Sequence, residues 1–255
     1  MNVFSDDSSV DKSLQEQSML SVLYAQLSTE YAANSIQTFV NATEAVDIAL
    51  ADSSWTAALE QKDNFSEKKP AIIIDVDETV LDNIAFQARA ILTGISYPNG
   101  WIEWGLEESA TPVPGVSKFL NYAHKKGVKI FYVTNRVVEL EEATRNNLKK
   151  LGLPFDDDRD VLLMRGENEW SSSKVSRRSL VAKDFRIILL AGDQLGDFIS
   201  LKNLQLILIQ EENLQKNILI CGEPNGLCLP TPCMVDGKAQ YITINTLIPK
   251  RSRFK

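Results

Sequence analysis

Residues 71–83 read Ala-Ile-Ile-Ile-Asp-Val-Asp-Glu-Thr-Val-Leu-Asp-Asn, and this stretch decides the fold. Ala71–Ile74 is continuously apolar and mostly β-branched, the pattern of a parallel strand covered on both faces. It runs straight into Asp75 and Asp77, so two carboxylates stand at the carboxyl end of a strand, where α/β sheets bind ligands. Strand alternation puts both side chains on one side, with Val76 pointing away. Two anionic groups held this way call for a cation or a shared proton between them. The plain alternative is a strand followed by an acidic turn.

Downstream of this stretch the chain takes on an α/β rhythm. Residues 84–113 form an insert rich in aromatic residues (Phe86, Tyr97, Trp101, Trp104) that ends at Pro112 and Pro114. Helix Gly115–Lys126 then leads to strand Lys129–Thr134, and helix Leu140–Leu151 to a short strand Val161–Met164. A Ser/Arg-rich helix at Ser172–Val181 precedes strand Arg186–Leu190, with a further strand at Leu204–Ile209. Strands alternating with helices predict a doubly wound parallel sheet.

Upstream, residues 1–12 are polar and read as disordered. From Ser13 to Leu59 apolar residues recur at helical spacing (Leu20, Leu23, Tyr24, Leu27, Tyr31, Ile36, Phe39, Val40), which predicts two or three helices. A polar linker at Gln61–Lys69 follows. The expected organisation is a disordered 1–12, a helical layer 13–64, a core 65–220 with a cap insert 84–113, and a separate tail 221–255.

At 255 residues, 44% hydrophobic and 24% charged, the composition is that of an ordinary globular enzyme. A net charge of −7 argues against a general nucleic-acid or membrane-surface binder. No stretch reaches 18 consecutive apolar residues, so no transmembrane segment is expected. Cys221, Cys228 and Cys233 cluster near the end, in neither a disulfide framework nor a CxxC zinc pattern.

If the sheet is parallel, four segments converge at its carboxyl edge: Asp75-Val-Asp77-Glu-Thr79, Thr134-Asn135-Arg136, Ser173-Lys174, and Gly192-Asp193-Gln-Leu-Gly-Asp197. Each has a purely structural alternative. Thr134 and Asp197 would cap helices, Lys174 would belong to a solvated basic face with Arg177 and Arg178, and the aromatic insert would be cap core. The single histidine, His124, reads as a surface residue.

DVDETVLDN, FYVTNR, SSSKVSRR and GDQLGDF together resemble the four motifs of the haloacid dehalogenase superfamily, and within it the class C acid phosphatases, the lipoprotein e-type 5'-nucleotidases. The resemblance extends over the N-terminal helices, including Ala49–Leu59, and on to about residue 212. It implies a Rossmann-like core with a smaller helical cap made by the N-terminal helices and the insert. It further implies Asp75 as nucleophile forming an aspartyl-phosphate, and Asp77 as the acid that protonates the leaving group and then activates water. Mg²⁺ would be held by Asp75, the Asp77 backbone carbonyl and Asp193. Thr134 would donate to a phosphoryl oxygen and Lys174 would neutralise charge. Asn135 would support the second motif, and Asp197 would hold a metal-bound water or orient Lys174. Phe86, Trp101 and Trp104 would line the substrate pocket, with Phe86 nearest to substrate. The implied partner is a small phosphomonoester, a nucleoside 5'-monophosphate or an aryl phosphate, hydrolysed with an acidic optimum. A different phosphate ester, phosphotransfer, or a non-catalytic ligand-binding role are the alternatives, and a homodimer is left open.

Two features depart from the family. Met1–Lys12 lacks the apolar run of a secretory signal, although a periplasmic, outer-membrane or secreted location is what the resemblance implies. Residues 222–237 read GEPNGLCLPTPCMVDG, where class C phosphatases usually carry Pro-Asn-Pro-Met-Tyr-Gly and a Trp. Codons for Pro230 to Gly237 can also spell Asn-Pro-Met-Tyr-Gly-Arg-Trp in the adjacent frame. A frameshift near 210–222 is therefore the expected origin of this ending.

Overall fold

The computed structural model describes residues 18–95 and 97–200, together with three later strands, Gly226–Cys228, Pro232–Val235 and Lys238–Tyr241. The expected disordered 1–12, the strand Leu204–Ile209 and the cysteine side chains lie outside the described residues.

The core is a parallel sheet built from β1 (Lys69–Ile74), β4 (Lys129–Val137), β5 (Leu162–Arg165) and β6 (Phe185–Gly192) in the order β5-β4-β1-β6, with β7 (Gly226–Cys228) paired beyond β6. After β1 the chain winds outward through β4 and β5, then returns to the other side of β1 as β6. The connections thus reverse direction between β1 and β6, the position where open α/β sheets form a ligand crevice. Register sets what lies there. Ile74 pairs with Tyr132 on one side and with Ala191 on the other. Thr134 and Asp193 therefore each stand two residues beyond a pairing with the last residue of β1.

β1 is buried on both faces, and its side chains alternate between two apolar clusters. Ile72, Ile74 and Val76 pack with Phe39, Ala42 and Val46 of the N-terminal layer and with Phe119 and Leu120. Ala71 and Ile73 pack on the opposite side with Phe131, Val133, Val181, Ala182 and Ile187. By the same alternation Asp75 follows Ala71 and Ile73, toward the helix that carries Val181 and Ala182.

The helices follow from amphipathic spacing and their termini. α1 (Met19–Leu27) and α2 (Thr29–Ala51) meet at Ser28, whose hydroxyl accepts from the Tyr31 N–H at 3.1 Å and caps α2. α3 (Ile84–Thr93) and α4 (Trp101–Leu106) form the insert, closed by the small β2–β3 pair (Leu81–Asp82 with Thr111–Pro112). α5 (Val116–Lys125) packs on α2, and Gly115 permits the approach. It has φ of +95°, and a Cβ there would lie 3.0 Å from the Ile36 Cα. α6 (Glu141–Lys150) and α7 (Val175–Asp184) complete the layers.

The segment after α2 is not a plain polar linker. The Gln61 side chain is buried, donating to the carbonyls of Ala182 (3.1 Å) and Phe185 (2.6 Å) and accepting from the Ile187 N–H (2.8 Å). It supplies hydrogen bonds that the backbone around β6 would otherwise lack. No helix among the described residues is long and apolar enough to cross a membrane.

Candidate active site

The backbone leaves the strand at Asp75, whose N–H still donates to the Ala191 carbonyl at 2.9 Å. It then folds into a tight loop. The N–H groups of Val80 and Leu81 both donate to the Val76 carbonyl, and Glu78 sits at φ +58°. This loop separates the two carboxylates that an extended strand would have kept together.

The expectation of one cation or proton shared between Asp75 and Asp77 is therefore corrected. Each has its own cation. Buried Asp75 pairs through Oδ1 with the Lys174 ammonium, and the Thr79 hydroxyl lies 3.5 Å from its Oδ2. Asp77 instead faces Arg136: Oδ1 accepts from Arg136 Nε at 2.9 Å and from Asn83 Nδ2 at 2.9 Å. Its Oδ2 lies 3.4 Å from the Thr134 hydroxyl, which in turn accepts from the Arg136 N–H at 3.0 Å. Thr134 caps no helix, and its hydroxyl is directed at Asp77.

Arg136 and Asn83 are neighbours of Asp77 to which the sequence alone assigns no role. Arg136 is fully buried, and its guanidinium also donates to Asn83 Oδ1 (3.1 Å) and Thr144 Oγ1 (3.2 Å). Asn83 Oδ1 further accepts from the Trp104 indole at 2.8 Å. Charge parity was the available signal: a half-buried carboxylate at a sheet edge needs a cationic partner, and Arg136 directly ends the second motif.

Lys174 immediately precedes α7 and is buried between Asp75 and Asp197, 2.5 Å from Asp197 Oδ1. It is no part of a solvated basic face. Arg177 and Arg178 are 0% and 1% exposed. Arg177 ties the second motif to the third, donating to the Thr134 carbonyl (2.5 Å), Asn135 Oδ1 (2.7 Å) and the Ser171 and Ser173 carbonyls (3.1 and 3.2 Å). Asn135 thus contributes through Arg177. Asp197 Oδ2 accepts from the Gln194 N–H at 2.9 Å within a short turn, so its capping contact and its pairing with Lys174 coexist. Gly192 makes room for it, because a Cβ at 192 would fall 2.1 Å from Asp197 Oδ2.

Asp75, Asp193 and Asp197 bring carboxylate oxygens within 4.8 Å of one another. Three carboxylates face one ammonium, and the donors are all hard oxygens, the set that divalent Mg²⁺ or Ca²⁺ prefers. Electrostatics point the same way. Burial first, then the neighbouring Asp197 and Asp77, push Asp75 up to about 7 against the opposing pull of Lys174. Asp193, though partly exposed, is crowded enough that desolvation and the Asp75 charge hold it well above the ordinary range. Burial opposes the Lys174 charge, but Asp197 and Asp75 more than offset it and raise its pKa. Glu78 is pushed up to about 8 by burial and by Asp77. The residues present fit a divalent cation. The two expected carboxylate ligands, Asp75 and Asp193, fall in this group and Asp197 joins them. The Asp77 carboxylate, for which only the backbone carbonyl was an expected ligand, points to Arg136.

The aromatic insert divides. Phe86 and Trp104 are 4% and 3% exposed and form cap core, so Phe86 is not the ring that opens toward solvent. Trp101 is half-buried, edge-on to Phe86 at 5.2 Å, with the Arg136 guanidinium 5.5 Å from its ring centre. Tyr97 is exposed, as is His124. A cavity of about 540 Å³ lies between the N-terminal helices and the insert, lined by Tyr31, Asp82, Trp104 and Thr111 among others. None of the five charged site residues Asp75, Asp77, Lys174, Asp193 and Asp197 lines it.

Residues 2–225 match the family model of the HAD superfamily, subfamily IIIB (acid phosphatase). The chain belongs to this family. Among solved structures it is similar to the class C acid phosphatase of Bacillus anthracis, at 32% identity and a TM-score of 0.68, covering 87% of this chain and 86% of that one. The same enzyme with tungstate bound matches at 31% identity with the same TM-score and coverage. Among curated proteins it is similar to the stem 31 kDa glycoprotein of Glycine max, 27% identical over 189 residues (71% of this chain, 57% of that protein). The stem 28 kDa glycoprotein of the same plant is also 27% identical, over 139 residues (51% of this chain, 53% of that protein). The chain thus spans little more than half the length of these curated relatives. The family match ends at residue 225, within the segment 222–237 whose reading departs from the family pattern.

Proposed function

We propose that this acid phosphatase family member hydrolyses small phosphate monoesters, with Asp75 as nucleophile and Mg²⁺ as the working cation. The observation that carries the reading is the position of Asp75: at the carboxyl end of the central strand, paired with Lys174 and within reach of Asp193 and Asp197. Asp75, Asp193 and Asp197 would hold the cation. When bound, Mg²⁺ supplies Lewis-acid polarisation of the phosphoryl oxygens.

The remaining steps fall to the chain's own groups. An Asp75 carboxylate oxygen attacks phosphorus while the ester P–O bond breaks, leaving the phosphoryl group on Asp75. Lys174 neutralises the combined charge of that carboxylate and the phosphoryl group. Asp77 gives its proton to the departing alkoxide, then takes one from a water whose oxygen attacks phosphorus and releases Asp75 and phosphate. Oδ1 of Asp77 is taken by Asn83 and Arg136, so Oδ2, facing the Thr134 hydroxyl, is the oxygen left to carry this proton. Trp101, the partly open ring of the insert, is the surface offered to a nucleobase or aryl leaving group; a stacked ring contributes about 1–3 kcal/mol by analogy with base stacking.

The test is hydrolysis of p-nitrophenyl phosphate and of a nucleoside 5'-monophosphate with Mg²⁺ and with chelator. Turnover that requires the metal is expected. Undiminished turnover in chelator contradicts the metal reading, and no turnover of either ester contradicts the phosphatase reading.

A further inference from the structure

We propose that Arg178 is a positioning residue for this reaction, acting through Asp197 on Lys174; the claim rests on the phosphatase reading above. Lys174 and Arg178 lie one helical turn apart, and the Arg178 N–H donates to the Lys174 carbonyl at 2.9 Å. Both reach the same residue of another segment. Lys174 Nζ binds the Asp197 carboxylate at 2.5 Å, while Arg178 Nη1 binds the Asp197 carbonyl at 2.8 Å and the Gly196 carbonyl at 3.4 Å. Asp197 is thereby held by its side chain and by its main chain from a single helix.

The other edge of the guanidinium is fixed as well. Nε and Nη2 both donate to Glu60 Oε1, at 3.0 and 2.6 Å. Glu60 lies in the segment between α2 and β1, so Arg178 bridges the N-terminal layer to the turn that carries Asp197. A planar guanidinium has donors enough to satisfy both sides at once. A lysine ammonium keeps the charge but cannot span them. The Leu195–Asp197 turn is short, and Asp197 pairs with a cation that must also meet Asp75. A displacement of the turn therefore withdraws the Asp197 carboxylate from Lys174 and leaves the ammonium without the partner that holds it beside Asp75.

This makes Arg178→Lys the informative variant. We expect kcat to fall by about ten- to a hundredfold, the range seen when outer-shell supports of catalytic groups are removed, with KM changed much less. Acting through Asp197 predicts non-additivity: in an Asp197→Asn background the Arg178→Lys change adds little further loss. A crystal structure of Arg178→Lys should show Lys174 Nζ beyond hydrogen-bond reach of the residue 197 carboxylate. If Arg178→Lys fails to fold, Glu60→Gln weakens the same bridge from its far end and takes its place in the cycle and in the crystal. Fully additive losses, an unchanged kcat, or a retained Lys174–Asp197 contact each overturn the proposal. Should the wild-type protein hydrolyse no ester, the phosphatase reading fails instead, and the Lys174–Asp197 separation in the variant still decides the positioning claim.

Discussion

At the residue scale the site is a set of charges, each given its own partner. Asp75 answers to Lys174 and Asp77 to Arg136, and the two pairs share no side chain. Replacing Asp75 by Asn removes the proposed nucleophile while keeping shape and a hydrogen-bond acceptor for Lys174. Turnover is expected to vanish with the circular dichroism spectrum unchanged, and retained aryl-phosphatase activity would refute the assignment. Arg136→Met should behave differently. It leaves the Asp77 carboxylate without its cation in a largely buried network, and breaking a buried pair from one side costs about 3–5 kcal/mol. Denaturant unfolding should register that loss, tempered by the partial exposure of Asp77; a variant as stable as wild type would show that Asn83 alone suffices. Gly192→Ala addresses space rather than charge. A Cβ 2.1 Å from Asp197 Oδ2 and 2.5 Å from its Cβ forces the turn aside, so activity should fall about a hundredfold, the scale of a 1 Å misplacement. Steady-state kinetics of the purified variant read this directly.

At the element scale, much was legible in the sequence because the signals were local. β1 announced itself as an uninterrupted apolar run, and its two-sided burial follows. The strands before Asn135 and Asp193 were readable for the same reason, and the alternation of helices with strands implied the parallel order. What could not be read was the path of the backbone after Asp75. The loop with Glu78 at φ +58° redirects Asp77 to Arg136, and no periodicity encodes a single-residue departure of that kind. The adjacent arginines of α7 were also illegible. Next to three serines they resemble a solvated face, yet long-range carbonyls from two other motifs bury both. Helical spacing reports a residue's neighbours on its own helix, not the polar atoms another segment brings to it. The same holds for Gln61, which a polar stretch disguised as linker.

At the scale of the whole molecule, the carboxylates link stability to pH and to metal. Asp75, Asp193 and Glu78 bind protons more tightly in the fold than in the unfolded chain, Asp75 up to about 7 and Glu78 up to about 8. A raised carboxylate contributes stability that is fully present below its unfolded value and is lost as pH rises through the folded one. Metal-free protein is therefore expected to melt at progressively lower temperature from roughly pH 4 toward about pH 8. Mg²⁺ should offset the loss most at the upper end, where it meets ionised ligands. Thermal melts across this window, with chelator and with Mg²⁺, check both slopes; a metal-free melting temperature that climbs through it, with no response to Mg²⁺, contradicts the account. The frameshift proposed for the tail is settled separately by the gene's nucleotide sequence, which should spell Asn-Pro-Met-Tyr-Gly-Arg-Trp in the frame adjacent to Pro230–Gly237.

In the proposed mechanism Asp75 carries the phosphoryl group in mid-reaction. Acid-quenching the protein during turnover with Mg²⁺, followed by peptide mass spectrometry, tests this most directly. A phosphoryl adduct is expected on the peptide bearing Asp75, absent in Asp75→Asn and longer-lived in Asp77→Asn. Turnover with no adduct in either wild type or Asp77→Asn, or an adduct on any other residue, would contradict it.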